Sequence, residues 1–304
     1  MTVTDTGIKN VEADMCRVLF LIFFLACAIV INAQQAHSEN IITGSGCSIS
    51  NVGYLADFAK EYEKRTGIKV LVRGGGSILG LEDLSIGKVD FAASCRARTA
   101  GDPEDLQFIQ VAWDALVFIV HKSNPLNSIS LDEVRAIYAG KITNWKELKG
   151  RDEPIKLLIS DPRKGLSGIE SSAKEMIFGG KEIVKESIKS SNLVSVASTG
   201  IAEQMILKIP EGFAISGFTS ARKRDVKILK VGGVSPDKKN ISSGKYKLRR
   251  PLFILVPQKP KPEVKQFMDF VLSKEGQRLI SSYGAVSLLD VHPVRKGGAS
   301  NGVK

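Results

Sequence analysis

From Ile42 onward, apolar residues recur with two periods, one helical and one extended, and the two alternate along the chain. Leu55, Phe58, Ala59 and Tyr62 fall on one face of a helix, with Ser50 or Asn51 as its N-cap and Gly67 as its stop. The run Ile68 to Val72 then reads as a buried strand, "RGGGS" as a glycine turn, Ile78 to Leu84 as a second helix and Val89 to Ser94 as the next strand. That order of strand, turn, helix and strand predicts a parallel α/β sheet. Open sheets of this kind bind ligands in the loops at the carboxyl ends of their strands.

Two continuous apolar runs, "ALVFIV" from Ala115 and "PLFILV" from Pro251, flank the middle third of the chain. They predict a chain that leaves its first domain and later returns to it. Between them, Ser130 and Glu133 form a capping box for a helix carrying Leu131, Val134, Ile137 and Tyr138. Pro154 to Ser160 and Gly212 to Gly217 read as strands, and Ser167 to Phe178 as a helix with Ile169, Ala173, Met176 and Ile177 on its apolar side. After the second run, Val264, Phe267, Met268 and Val271 share a helix face in a terminal piece that stops at Gly284. The polar stretch "VSPDKKNISSGKY" reads as a loop.

The N-terminus breaks this alternation. From Met15 a short basic start leads into an apolar core, Val18 to Ile31, and then into small and polar residues. This is the layout of a secretory signal peptide, residues 1–33 with cleavage after Ala33; an uncleaved anchor and a lipid on Cys27 are the lesser alternatives. Removing the leader leaves two of the four cysteines, Cys47 and Cys95. They pair or stay buried as thiols; a bridge, closing a loop of about 48 residues, would stabilise the fold by roughly 4 kcal/mol on the chain-entropy model. The 304-residue chain, 43% hydrophobic and 25% charged, has material for two cores. Its net charge of +11 suits an anionic partner, but the lysines are spread without an arginine-aromatic stripe, which argues against nucleic acid.

For chemistry, no P-loop, dinucleotide fingerprint or nucleophile elbow occurs, the chain has three histidines, and no metal-ligand spacing appears. The expectation is therefore no enzyme, no cofactor and no metal. What recurs is serine and glycine at three predicted helix starts, where unpaired backbone N–H groups and the macrodipole favour anions. In "DPRKGLSGIE" Arg163 stands four residues before Ser167, so a guanidinium meets the anion that the helix start also contacts. Ser167 also opens a capping box with Glu170.

With "GSGCSI", "RTGIKVLVRGGGS", "GKVDFAAS", "IYAGKITNWKEL", "DPRKGLSGIE", "GIAEQMILKIPEGFAISGF" and "VKQFMDFVLSKEGQRLISSYG", the chain from Ile42 to Leu288 resembles the periplasmic phosphate-binding proteins of ABC uptake systems. The resemblance implies a type II periplasmic binding protein fold: two α/β lobes, 41–118 with 252–290 and 119–251, two hinge strands, and a tail at 291–304. It implies a monomer, exported to the periplasm, that closes on inorganic phosphate or a similar oxyanion and serves a membrane permease. Carried over by position, Ser48 with the Ile49 amide, Ser77 and Cys95 come from one lobe, and Arg163, Ser167, the Gly168 amide and the Ile169 amide from the other. Two departures stand out. Ile169 replaces a frequent threonine, and Cys95 stands where an aspartate accepts the proton of hydrogen phosphate, with Arg96 beside it. The alignment therefore implies altered oxyanion selectivity and brings Cys47 and Cys95 close enough to bridge. The rival reading is an extracytoplasmic sensor or interaction module that reuses the fold without binding phosphate, and a lesser one is a hydrolase with Cys95 as nucleophile.

Overall fold

The computed structural model of the chain describes residues 40–160, 168–181 and 192–291. The leader, Arg163, Ser167 and the tail beyond Val291 lie outside the described residues.

Strand β1 (Ile41–Gly46) ends on Gly46, whose φ of 128° turns the chain straight into a helix. The helix begins as α1 (Ser48–Ser50), passes through a π turn (Asn51–Leu55) and continues as α2 (Ala56–Thr66). It thus starts earlier than the sequence suggests, with Cys47 at the N-cap position and no side-chain cap. Ser50 and Asn51, either of which was expected as the cap, lie inside the helix, Ser50 buried in the first turn and Asn51 opening the π turn. Gly67 does end the helix in the left-handed region, at φ 74°.

Next come β2 (Lys69–Gly74), α3 (Ser77–Ser85), β3 (Phe91–Ser94) and the long β4 (Leu106–His121). The middle of the chain supplies β5 (Ser128–Ile129), α4 (Leu131–Tyr138), a 3-10 turn (Trp145–Leu148), β6 (Lys156–Ser160) and α5 (Gly168–Met176). It continues with β7 (Leu193–Val196), α6 (Thr199–Ile206), β8 (Gly212–Gly217), α7 (Phe218–Ala221), β9 (Val226–Ile228) and β10 (Lys230–Val231). The last elements are α8 (Lys238–Ser242), β11 (Arg249–Pro257), α9 (Pro262–Leu272), α10 (Lys274–Ser282) and β12 (Val286–Ser287).

The main strands lie in the order β2-β1-β3-β11-β4-β8-β6-β7. β1 is parallel to both β2 and β3, and β6 is parallel to both β7 and β8. Between these two parallel trios, β11 and β4 run antiparallel to each other and to the strand each meets. β4 spans both halves: Leu106 to Ala115 pair with β11, and Leu116 to Val120 pair with β8. The apolar runs at Ala115 and Pro251 therefore lie on neighbouring strands but in different halves of the sheet, the first paired with β8 and the second with β3 and the first part of β4, consistent with a mixed α/β fold that leaves one half and returns.

Each half has an aromatic core. On one side the Phe267 ring of α9 packs against Phe58 and Tyr62 of α2 and Phe91 of β3, with ring centroids 5.9, 5.1 and 5.3 Å away. On the other, Trp145 and Phe118 flank Phe213, each at 6.0 Å. The Ser130–Glu133 capping box forms, with Glu133 N–H donating to Ser130 Oγ at 3.2 Å and Ser130 N–H to the Glu133 carboxylate at 2.7 Å.

Two expectations are corrected here. The polar stretch after Val234 is not wholly a loop. Asp237 caps α8 by accepting from Asn240 N–H at 2.8 Å, and the two apolar residues in the stretch are buried, Ile241 fully and Tyr246 with its hydroxyl on the Leu116 carbonyl at 2.9 Å. The terminal helical piece is broken at Ser273, which takes an extended ψ of 159° and caps α10 by accepting from Gly276 N–H at 3.0 Å. A serine three residues before a tightly packed glycine restarts the helix in a new direction.

Candidate functional site

The carboxyl ends of β1, β2 and β3 form one wall of a small cavity. The two glycine turns are tied together, since Gly75 and Gly76 both donate their N–H to the Gly46 carbonyl, at 2.8 and 2.9 Å. Gly80 of α3 packs on Gly46 so closely that a Cβ there would lie 2.5 Å from the Gly46 Cα. The Cys47 N–H donates to the Ala93 carbonyl at 2.8 Å, which fixes the first helix start against β3. Ser77, the first residue of α3, accepts from the Cys95 N–H at 3.1 Å, and its Oγ lies 3.5 Å from the Cys95 sulfur. These contacts set Ser48, Ser77 and Cys95 side by side.

The facing wall consists of helix starts: Gly168 and Ile169 of α5, and Ser198 and Thr199 of α6. Together with Cys47, Ser48, Ile49, Gly76, Ser77 and Cys95 they enclose about 10 Å³. That is room for about one water molecule, so a tetrahedral oxyanion fits only when the walls part. Contact across the gap is tight. A Cβ on Gly168 would lie 2.6 Å from Ser77 Oγ and 2.7 Å from the Cys95 sulfur, and one on Gly200 3.4 Å from the Ser48 Cβ.

Arg250 of β11 joins the walls from behind. One guanidinium nitrogen donates to the Cys95 carbonyl at 2.7 Å and, more weakly, to the Gly168 carbonyl at 3.5 Å; the other donates to Asp114 of β4 at 2.9 Å. Ser172 of α5 donates to the same Cys95 carbonyl at 3.1 Å. Arg250 and Asp114 are both buried, and Asp114 also accepts from the Thr219 N–H and hydroxyl at 2.9 and 2.7 Å. Burial opposes the charge on Arg250, but Cys95 and Asp114 more than offset it and hold the guanidinium protonated. Gly217 has no room for a side chain, because a Cβ would sit 2.4 Å from both Ile49 and the Asp114 carboxylate.

Cys47 and Cys95 line the cavity as buried, free cysteines whose side chains interact, so they lie close, as the alignment implies, with no bridge between them. The Cys95 sulfur is also placed against the Ser77 hydroxyl. Their acidities diverge. Burial, then the interaction with Cys95, pushes the Cys47 thiol well above its ordinary value. The interaction with Cys47, helped by Arg250 and opposed by burial, brings Cys95 down to about 6. Arg96, expected to make the local field positive, turns away from the cavity and forms a bidentate pair with Asp102 at 2.7 Å for both contacts. Among the described residues, the cation that acts on Cys95 is Arg250.

Of the residues singled out in the sequence, Ser48, Ile49, Ser77, Cys95, Gly168 and Ile169 line this one cavity, and Cys47 joins them. Arg163 and Ser167 lie outside the described residues. So does the serine side of the expected Ser167–Glu170 capping box. On the described side, Glu170 Oε1 accepts from the Ser160 N–H and hydroxyl at 3.1 and 2.7 Å. Sequence reasoning missed Ser198, Thr199, Arg250 and Asp114. His121, the one described histidine, bonds Ser123 at 2.8 Å and does not line the cavity. Among the described residues, no cluster of three or more His, Cys, Asp or Glu could hold a metal ion, and no helix is long and apolar enough to cross a membrane.

The family model of a PBP superfamily domain matches residues 33–275. The chain is 27% identical over 283 residues to the phosphate-binding protein PstS of Borreliella burgdorferi, covering 90% of this chain and 99% of that one. It is 26% identical over 276 residues to PstS of Bacillus subtilis, covering 87% of each. Among solved structures, an ABC-type phosphate transport receptor from Vibrio cholerae aligns with a TM-score of 0.61 at 25% identity, over 81% of this chain and 99% of that one. A Clostridium perfringens chain solved with bound phosphate aligns with a TM-score of 0.72 at 24% identity, over 82% and 100%.

Proposed function

The chain belongs to the PBP superfamily, and from that premise we propose that it is an exported solute-binding protein that captures inorganic phosphate or a related oxyanion for an ABC permease in the membrane. It binds and releases its ligand without catalysing a reaction, and residues 1–33 direct its export. The observation that carries the reading is the convergence of hydroxyls and helix starts from both halves of the sheet on one cavity. The phosphate-binding names of its relatives support the choice of anion.

In this reading residues 41–118 with 252–290 form one lobe and 119–251 the other. β4 and β11 act as the hinge. Opening admits the anion. Closure surrounds it with Ser48, the Ile49 amide and Ser77 on one side, and with Arg163, Ser167 and the Gly168 and Ile169 amides on the other. Ser198 and Thr199 add hydroxyls on the second side, where Ile169 offers none. An anion that bridges both lobes favours the closed form because only that form makes both sets of contacts.

Thermal unfolding with and without phosphate tests the proposal. At a phosphate concentration of 100 times Kd the folded state gains about 2.7 kcal/mol, which raises the midpoint by several degrees. An unchanged midpoint with phosphate, sulfate and arsenate would instead favour the sensor or interaction-module reading.

A further inference from the structure

Among the described residues the cavity is lined by the hydroxyl-bearing Ser48, Ser77, Ser198 and Thr199, which can donate to an anion, and by Cys47 and Cys95. Once ionised, the Cys95 sulfur can only accept. Ser77 Oγ already accepts from the Cys95 N–H, which leaves its proton for the sulfur 3.5 Å away. Arg250 lies behind the same residue, bonded to its carbonyl, and burial keeps water from screening the guanidinium.

Resting on the oxyanion reading above, we propose that Cys95 sets the selectivity of this cavity. Its sulfur is a resident negative acceptor that admits an oxyanion carrying a proton, such as hydrogen phosphate, and disfavours one without a proton, such as sulfate. Hydrogen phosphate can present its O–H to the thiolate and its remaining oxygens to the donors. Sulfate must place a bare oxygen against a negative sulfur, which is a repulsive contact built against the wrong ligand. A neutral thiol in the same place would discriminate little, because it can donate weakly to either anion.

Among the described residues, the charged and titratable groups around this sulfur come from four directions. Cys47, on the turn after β1, stays a thiol and stabilises the Cys95 thiolate; Tyr54 behind it is held neutral by burial. Arg250 from β11 favours the thiolate, and Asp114 of β4 accepts from that guanidinium and helps hold it protonated. Glu170 of α5 is pushed up, first by burial and in small part by Cys95 itself. Cys47 and Arg250 are positioning residues for the sulfur's charge.

The consequence is a selectivity that titrates near neutral pH. Cys95 is depressed to about 6, so the thiolate is present above that value and gains a proton as pH falls through it. Discrimination is then complete on the alkaline side and lost on the acid side.

Calorimetry of the full chain in reducing buffer, with phosphate and with sulfate from about pH 8 to about pH 5, tests this where the thiol titrates. The expected result is a phosphate-to-sulfate affinity ratio that falls at least about tenfold towards acid, which is about 1.4 kcal/mol. Cys95→Ser abolishes the step, Cys47→Ala, which removes the donor, moves it to higher pH, and Cys95→Asp, whose carboxylate stays ionised, keeps the ratio high into the acid range. A wild-type ratio that stays flat while phosphate binds overturns the inference alone, and so does an unaltered step in Cys95→Ser. Absence of heat with either anion in every protein overturns the oxyanion reading and this inference with it.

Discussion

The two walls of the cavity are built differently. The wall from β1, β2 and β3 is held by its own backbone: Gly75 and Gly76 bond to Gly46, Cys47 bonds to Ala93, and the Cys95 amide bonds to Ser77. The wall from α5 and α6 meets it through side chains, with Arg250 and Ser172 reaching the Cys95 carbonyl. The first set of contacts lies within one wall, whereas the second crosses from one wall to the other. This division suits a protein in which one face presents a fixed set of groups and the other closes on it.

Arg250→Met separates the two roles most sharply. It removes the guanidinium that bridges the walls and leaves Asp114 buried without its partner, so urea unfolding is expected to report a loss of about 3–5 kcal/mol. Adding Asp114→Asn to the same chain recovers much of that loss, because the orphaned charge is gone. A single-mutant loss below about 1 kcal/mol, typical of an exposed pair, would contradict the bridging role.

Two glycines contrast a contact within a wall with a contact between walls. Gly46→Ala puts a Cβ 2.2 Å from the Ala93 carbonyl oxygen at a φ of 128°, inside the first wall. Its expected cost is at least about 1–3 kcal/mol, since backbone must move and the dihedral is strained. Gly168→Ala meets Ser77 and Cys95 across the gap. Because that gap can widen, the loss should appear chiefly as at least about tenfold weaker phosphate binding, about 1.4 kcal/mol, with little change in the unfolding midpoint. Equal stability costs for the two variants would erase the distinction.

The hydroxyls give smaller effects. Ser77→Ala removes the acceptor of the buried Cys95 amide, and the expected cost is about 1 kcal/mol in stability together with weaker anion binding. Ser198→Ala removes the cap that accepts from Ile201 N–H at 3.4 Å, a long contact worth about 0.5 kcal/mol, the low end of the capping range. Denaturant midpoints of the two variants, measured side by side, check the order.

Much of the first wall was legible because its geometry depends on local signals. A serine after glycine turns at a predicted helix start marks Ser48 and Ser77, and Cys95 follows directly on a readable strand. Gly168 and Ile169 open a helix with visible apolar spacing. Arg250 and Asp114 were hidden for a physical reason: their pairing spans 136 residues, and Arg250 is one of several basic residues ahead of its apolar run. Asp114 stands immediately before the run starting at Ala115, and a carboxylate there was the one local hint of a buried partner. Ser198 and Thr199 precede Ile201 and Met205 at helical spacing, so the capping rule alone could have found them. The break at Ser273 and the helix at Lys238 were missed where a cap residue was read as ordinary polar sequence.

Calorimetric titration of the full chain with phosphate decides whether the two walls close on an anion. The expected result is saturable binding of one phosphate per chain, weakened by Gly168→Ala. Absence of binding heat with phosphate, sulfate and arsenate alike would contradict it.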